Sequence, residues 1–84
     1  MIIKITFPFK DSPNTIELKE IVIETDDNDL ITQLKSTNNP IEIGIILSEN
    51  ERKYKKIDSE KKEDLHIEIA EVLTSPALRK KFNF

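Results

Sequence analysis

The chain has no cysteine, no tryptophan, a single glycine, a single histidine and no long apolar run. Each absence removes a class of function. Without cysteine there is no disulfide framework and no thiolate metal site, and a reducing, cytoplasmic setting is the expected location. One glycine, Gly44, cannot build a phosphate-binding loop or a dinucleotide fingerprint, both of which need several glycines for close backbone approach. His66 alone, with no thiolate beside it, leaves zinc short of ligands. No segment approaches the ~18 apolar residues of a membrane span. MIIKITFPF alternates, carries Lys4 and is too short for a secretory leader. No metal, cofactor or membrane partner is expected.

What is present is β-branched and charged. Fourteen isoleucines stand against seven leucines, which favours a sheet-containing fold over a helical bundle. Eighty-four residues, 37% hydrophobic, supply core for one domain spanning 1–84. The net charge of −3 hides an asymmetry: residues 1–51 carry ten acids and four bases, residues 52–84 nine bases and six acids. Such a dipolar surface steers an oppositely charged partner, pairs with a copy of itself, or simply keeps the domain in solution.

Periodicity predicts the elements. Ile3, Ile5, Phe7 and Phe9 share one face of a strand, with Pro8 suggesting that it frays or lies at an edge. KDSPNT turns the chain, and IELKEIVIET forms a second strand. Its parity slips, because Ile16 and Leu18 are out of phase with Ile21 and Ile23; a bulge near Lys19–Glu20 would bring all four to one face. A short helix follows, capped by Asp26 or Asp27, with Leu30, Ile31 and Leu34 inward and Asn38, Asn39 and Pro40 ending it. IEIGIIL reads as the strongest strand, Ile41, Ile43, Ile45 and Leu47 alternating inward. Ser48 with Glu51 matches a helix-capping box, but a hairpin into an exposed strand RKYKKI is preferred. From Ser59 to about Leu73 a helix is expected, with Leu65, Ile69, Val72 and Leu73 inward. Ser75 and Pro76 start another short helix. The predicted class is α+β: a small, mainly antiparallel sheet of three or four strands with helices packed on one face.

Candidate chemistry is sparse. The serines sit at turns and caps, and His66 adjoins an apolar stripe, where a ring satisfied by one hydrogen bond is the ordinary state. Glu24, Asp26, Asp27 and Asp29 lack the glycine and distant glutamate of a calcium loop. No enzyme is expected; binding surfaces remain. The expected function is a protein-binding module, acting as an accessory, inhibitory or assembly factor. Its contacts would be the carboxylates of Glu24, Asp26, Asp27 and Asp29 and an exposed Ile67, which the helical wheel places among Glu63, Asp64 and Glu71. The alternative is a nucleic-acid-binding accessory protein using residues 52–62 and 79–84. There Arg52, Lys53, Lys55, Lys56, Arg79, Lys80 and Lys81 would meet phosphates, and Tyr54 and Phe82 would stack on bases. Self-association through a sheet edge or Ile67 is the third possibility.

Overall fold

The alternation of the first nine residues does build a strand. In the computed structural model, which describes residues 1–12, 14–58, 62–74 and 76–82, β1 (Ile2–Ser12) buries Ile3, Ile5, Phe7 and Phe9 on one face. It pairs antiparallel with β2 (Thr15–Glu24), from Ile2 opposite Glu24 to Lys10 opposite Ile16 without a break; the register shifts only between Lys10 and Ser12. The expected bulge at Lys19–Glu20 is therefore absent. Ile21 and Ile23 face inward with Ile5 and Ile3, whereas Ile16 and Leu18 keep the opposite parity and point to the other side of the sheet.

Helix α1 (Asn28–Lys35) forms as its sequence predicts. The Asp27 carboxylate accepts the N–H of Leu30 at 2.9 Å, and Leu30, Ile31 and Leu34 are buried. The next segment overturns its expectation. Residues 41–47 are not a strand but lie in α2 (Pro40–Glu49). Asn39 decides this: its side-chain oxygen accepts from Ile41 N–H at 2.9 Å and Glu42 N–H at 3.2 Å, while Pro40 occupies a first-turn position where its missing N–H costs nothing. The helix buries Pro40, Ile43, Gly44 and Leu47, related by steps of three and four residues along one face, and leaves Ile41 and Ile45 exposed.

A single 3-10 turn (Glu51–Lys53) leads to β3 (Lys55–Lys56), which pairs antiparallel with β2 rather than with residues 41–47. Buried Thr25 fixes this junction, its hydroxyl donating to the Lys53 carbonyl at 2.6 Å. The long helix expected over 59–73 is also replaced. Leu65–Glu68 form β4, parallel to β1, with Leu65 opposite Ile3 and Ile67 opposite Ile5. Ile67 is accordingly 8% exposed and part of the core, while Val72, expected inward, is exposed. The chain closes with α3 (Pro76–Lys81) and Phe82, whose ring stacks 4.6 Å from Phe7. The expected caps Ser59 and Ser75, and Phe84, lie outside the described residues.

The result is α+β: a four-stranded, mostly antiparallel sheet in the order β3-β2-β1-β4. The inward residues of its strands form one apolar cluster with Leu30, Ile31, Leu34, Ile43, Leu47 and Phe82 from the helical side. β1 is central rather than an edge, and Pro8 has a cost there. Even-numbered residues of β1 bond toward β4: Ile69 N–H donates to Thr6 C=O at 3.0 Å and Leu73 N–H to Pro8 C=O at 2.8 Å. The bond between them would need the nitrogen of Pro8, which carries no hydrogen. Opposite Pro8 the ladder opens, and Ala70, Glu71 and Val72 fill the space of one residue before Leu73 rejoins opposite Phe9.

Candidate interaction surfaces

With the helices on one side, the other side of the sheet has two contrasting halves. Toward the chain start it is charged: Lys4 lies 3.5 Å from Glu20 and 3.9 Å from Glu63, and Thr6 Oγ1 is 2.8 Å from His66 Nε2. The backbone N–H of Glu63 and then the Lys4 ammonium hold its carboxyl below the ordinary glutamate value. Toward the β1–β2 turn the face is apolar. Pro8 pairs with Leu18 and Lys10 with Ile16, and a shallow hollow of about 330 Å³ is lined by Thr6, Pro8, Leu18, Glu68, Ile69 and Ala70. Ile16 is 57% and Leu18 69% exposed. Neither residue is among the contacts expected from the sequence, although the parity slip that singles them out is legible there; the expected bulge would have hidden it.

The acidic candidates are dispersed in role. Asp27 caps α1, Asp26 meets the chain's amino group at 3.4 Å, and Asp29 lies in the first turn of α1. Glu24 sits at the end of β2 opposite Lys55. They surround the junction of β2 and α1, with one of the four committed to the fold.

The basic candidates are divided too. Phe82 is buried against Phe7, so it offers no face for stacking. Arg79 lies over the Phe9 ring at 5.9 Å and reaches Glu17 at 3.4 Å, while Lys19 meets the same carboxylate at 2.6 Å. Lys55 and Lys56 point to opposite sides of the sheet, since they are adjacent in a strand. Arg52, Lys53 and Lys80 are exposed. What the fold does unite is Lys56 and Lys81, which line one hollow of about 160 Å³ with Ser48, Glu51 and Tyr54. Gly44 makes room there: a Cβ at this position would stand 3.1 Å from Lys81 Cε and 3.3 Å from its Nζ. Tyr54 is half-buried, and burial first, then the Glu51 carboxylate, raises its phenol above the ordinary value.

The last feature is the outer edge of β4, beside which the sheet has no further strand among the described residues. Beside it, the end of α1 leaves a groove of about 380 Å³ lined by Leu34, Lys35, Thr37, Leu65 and Ile67 among others. Among the described residues no three His, Asp or Glu side chains cluster as a metal site, and no helix is long and apolar enough to cross a membrane. The chain matches no protein-family model, no curated protein and no solved structure.

Proposed function

We propose that this chain is a non-enzymatic, cytoplasmic protein-binding module, an accessory, inhibitory or assembly factor that holds its partner on the open face of the sheet around Ile16 and Leu18. One observation carries the reading. Two large apolar side chains stand well exposed on one face of one strand, and Leu18 lines a hollow with Pro8 and Ala70. Scattered exposed apolar residues are ordinary, but adjacent ones on a rigid face, ringed by Lys10, Glu20 and Glu68, have the form of an anchor within a polar rim. The partner would present an apolar patch with charges of both signs around it.

The test is affinity capture with the wild-type chain and with Ile16→Asp, Leu18→Asp and Ile41→Asp. Both sheet variants should melt as the wild type does and lose the captured partner; Ile41→Asp, on the exposed side of α2, should keep it. Retention by both sheet variants, or loss only with Ile41→Asp, would move the partner to another surface.

A second reading, nucleic-acid binding, is favoured by the convergence of Lys56 and Lys81 beside Tyr54. With Phe82 buried and Arg79 engaged, a single strand would meet few phosphates. Two lysine contacts imply a slope of about −1.4 in log affinity against log salt. Anisotropy of a labelled single-stranded oligonucleotide should give that slope, and Lys56→Ala with Lys81→Ala should abolish it. No binding at low salt removes this reading.

A further inference from the structure

We infer that β4 is a self-recognition edge, pairing antiparallel with β4 of a second copy of this chain about a twofold axis at Ile67, so that two four-stranded sheets join into one. This goes beyond the partner surface proposed above and uses the backbone edge of β4, sharing Glu68 with the rim of that surface.

The sheet has two edges, and they are not equivalent. β3 has two residues, both exposed lysines, the usual guard against edge-to-edge pairing. β4 has four residues and neither lysine nor proline within them. Its odd-numbered residues bond inward to β1, as the Ile69 N–H to Thr6 C=O bond fixes. By alternation the N–H and C=O of His66 and Glu68 point outward, and among the described residues nothing accepts or donates there.

Face and charge select the register. A twofold axis perpendicular to the sheet keeps inward side chains inward, so it must pass through a residue and not between two. Centred on His66, the pairing sets Asp64 against Glu68 twice. Centred on Glu68, it opposes that carboxylate to itself. Centred on Leu65, it needs an Asp64 N–H that already donates to Ile2 C=O at 2.7 Å. Centred on Ile67, it opposes His66 to Glu68 of the second copy twice, and Leu65 to Ile69 twice. In this register His66 and Glu68 are the hydrogen-bonded pairs, so every outward backbone group named above finds a partner.

Side chains fit as well as backbone. Thr6 Oγ1 already meets His66 Nε2 at 2.8 Å, which leaves Nδ1 to donate to the carboxylate of Glu68 of the second copy. On the inner side, the groove of about 380 Å³ beside Leu34, Leu65 and Ile67 faces the second strand's Ile67 and Ile69, which this register sets against Ile67 and Leu65. Lys35, which also lines that groove, stays at its rim as a polar boundary. The contact is short, so the dimer is weak and concentration-dependent.

Sedimentation equilibrium from micromolar to millimolar loading, with amide hydrogen exchange at the same concentrations, tests this. A monomer–dimer equilibrium is expected, and the amides of His66 and Glu68 should gain protection as the dimer forms. Glu68→Lys should weaken association at least about tenfold, since it sets a cation against His66 and removes a paired carboxylate. The double exchange His66→Glu with Glu68→Lys should restore it. A monomer at every concentration overturns the inference. So does a dimer without protection at these two amides, or one indifferent to Glu68→Lys. Should Glu68→Lys fail to fold by circular dichroism, the wild-type amide protection decides alone.

Discussion

Ile67→Asp distinguishes a core strand from the exposed helical position that the sequence pattern implied. In the fold Ile67 is 8% exposed, opposite Ile5 and within the cluster that holds Phe7 and Ile69. Truncating such a residue to alanine costs about 2–5 kcal/mol, from lost transfer energy and the cavity left behind. A carboxylate adds the cost of burying a charge with no partner, or of holding it protonated. At about 0.05–0.15 kcal/mol per residue, 84 residues have about 4–13 kcal/mol of stability to lose. Ile67→Asp should therefore leave the chain largely unfolded, and Ile67→Ala should fold but melt early in urea. For a slope of about 1.5 kcal/mol per molar, a loss of about 3 kcal/mol moves the midpoint down by about 2 M. Leu18→Asp is the control: at 69% exposure it should stay within about 0.5 kcal/mol of wild type. Far-ultraviolet circular dichroism across a urea series reads all three. A folded Ile67→Asp with an unchanged midpoint would refute the strand and restore a helix with Ile67 outward.

Gly44→Ala should stabilise the protein, because alanine gains about 1 kcal/mol over glycine inside a helix and the nearest atoms, Lys81 Cε and Nζ, end a flexible side chain. A melting temperature about 3–6 °C higher is expected; a lower one would mean that Lys81 and Phe82 cannot give way. Asp27→Ala should cost about 1 kcal/mol by removing the cap of α1, seen as a lower urea midpoint, with Asp27→Asn keeping most of the stability. Tyr54 is the only tyrosine and there is no tryptophan, so ultraviolet absorbance of the phenolate follows it without interference. Its raised value means that folding favours the neutral phenol; that contribution is complete below the unfolded phenol's value and is lost as pH climbs through the folded one. Glu51→Gln should lower the Tyr54 midpoint only in part, since burial is the larger cause.

The elements legible from sequence were those whose local signals agreed. β1 alternates over a clean run, and α1 has an acidic cap ahead of a helical stripe. Residues 40–49 carried two signals in conflict. Ile41, Ile43, Ile45 and Leu47 alternate as a strand would, yet Pro40, Ile43, Gly44 and Leu47 also make a helical stripe. Asn39-Pro40 suits the end of α1, yet the same pair is also a strong helix start. Capping outweighs the β preference of isoleucine here because the packed face of α2 supplies what propensity withholds. On the surfaces, the sequence placed Lys56 and Lys81 in separate basic runs, and only the tertiary fold brings them to one hollow.

Residues 65–73 were harder for a reason that lies elsewhere in the chain. Leu65, Ile67 and Ile69 alternate, but Glu71 falls where the next inward residue should be, and that break pointed to a helix. The break belongs to Pro8. Because its nitrogen cannot donate, the parallel ladder has no reason to continue opposite it, and the chain takes a detour through Ala70, Glu71 and Val72. After the detour Leu73 rejoins with both bonds intact, its N–H to Pro8 C=O at 2.8 Å and its C=O from Lys10 N–H at 2.9 Å. The odd parity of 65, 67 and 69 is thereby kept at 73, and Glu71 is left in solvent. A proline sixty residues away in sequence thus sets where the strand stops. No window read along the second segment alone contains that information, since the constraint acts across a parallel pairing and not along the chain.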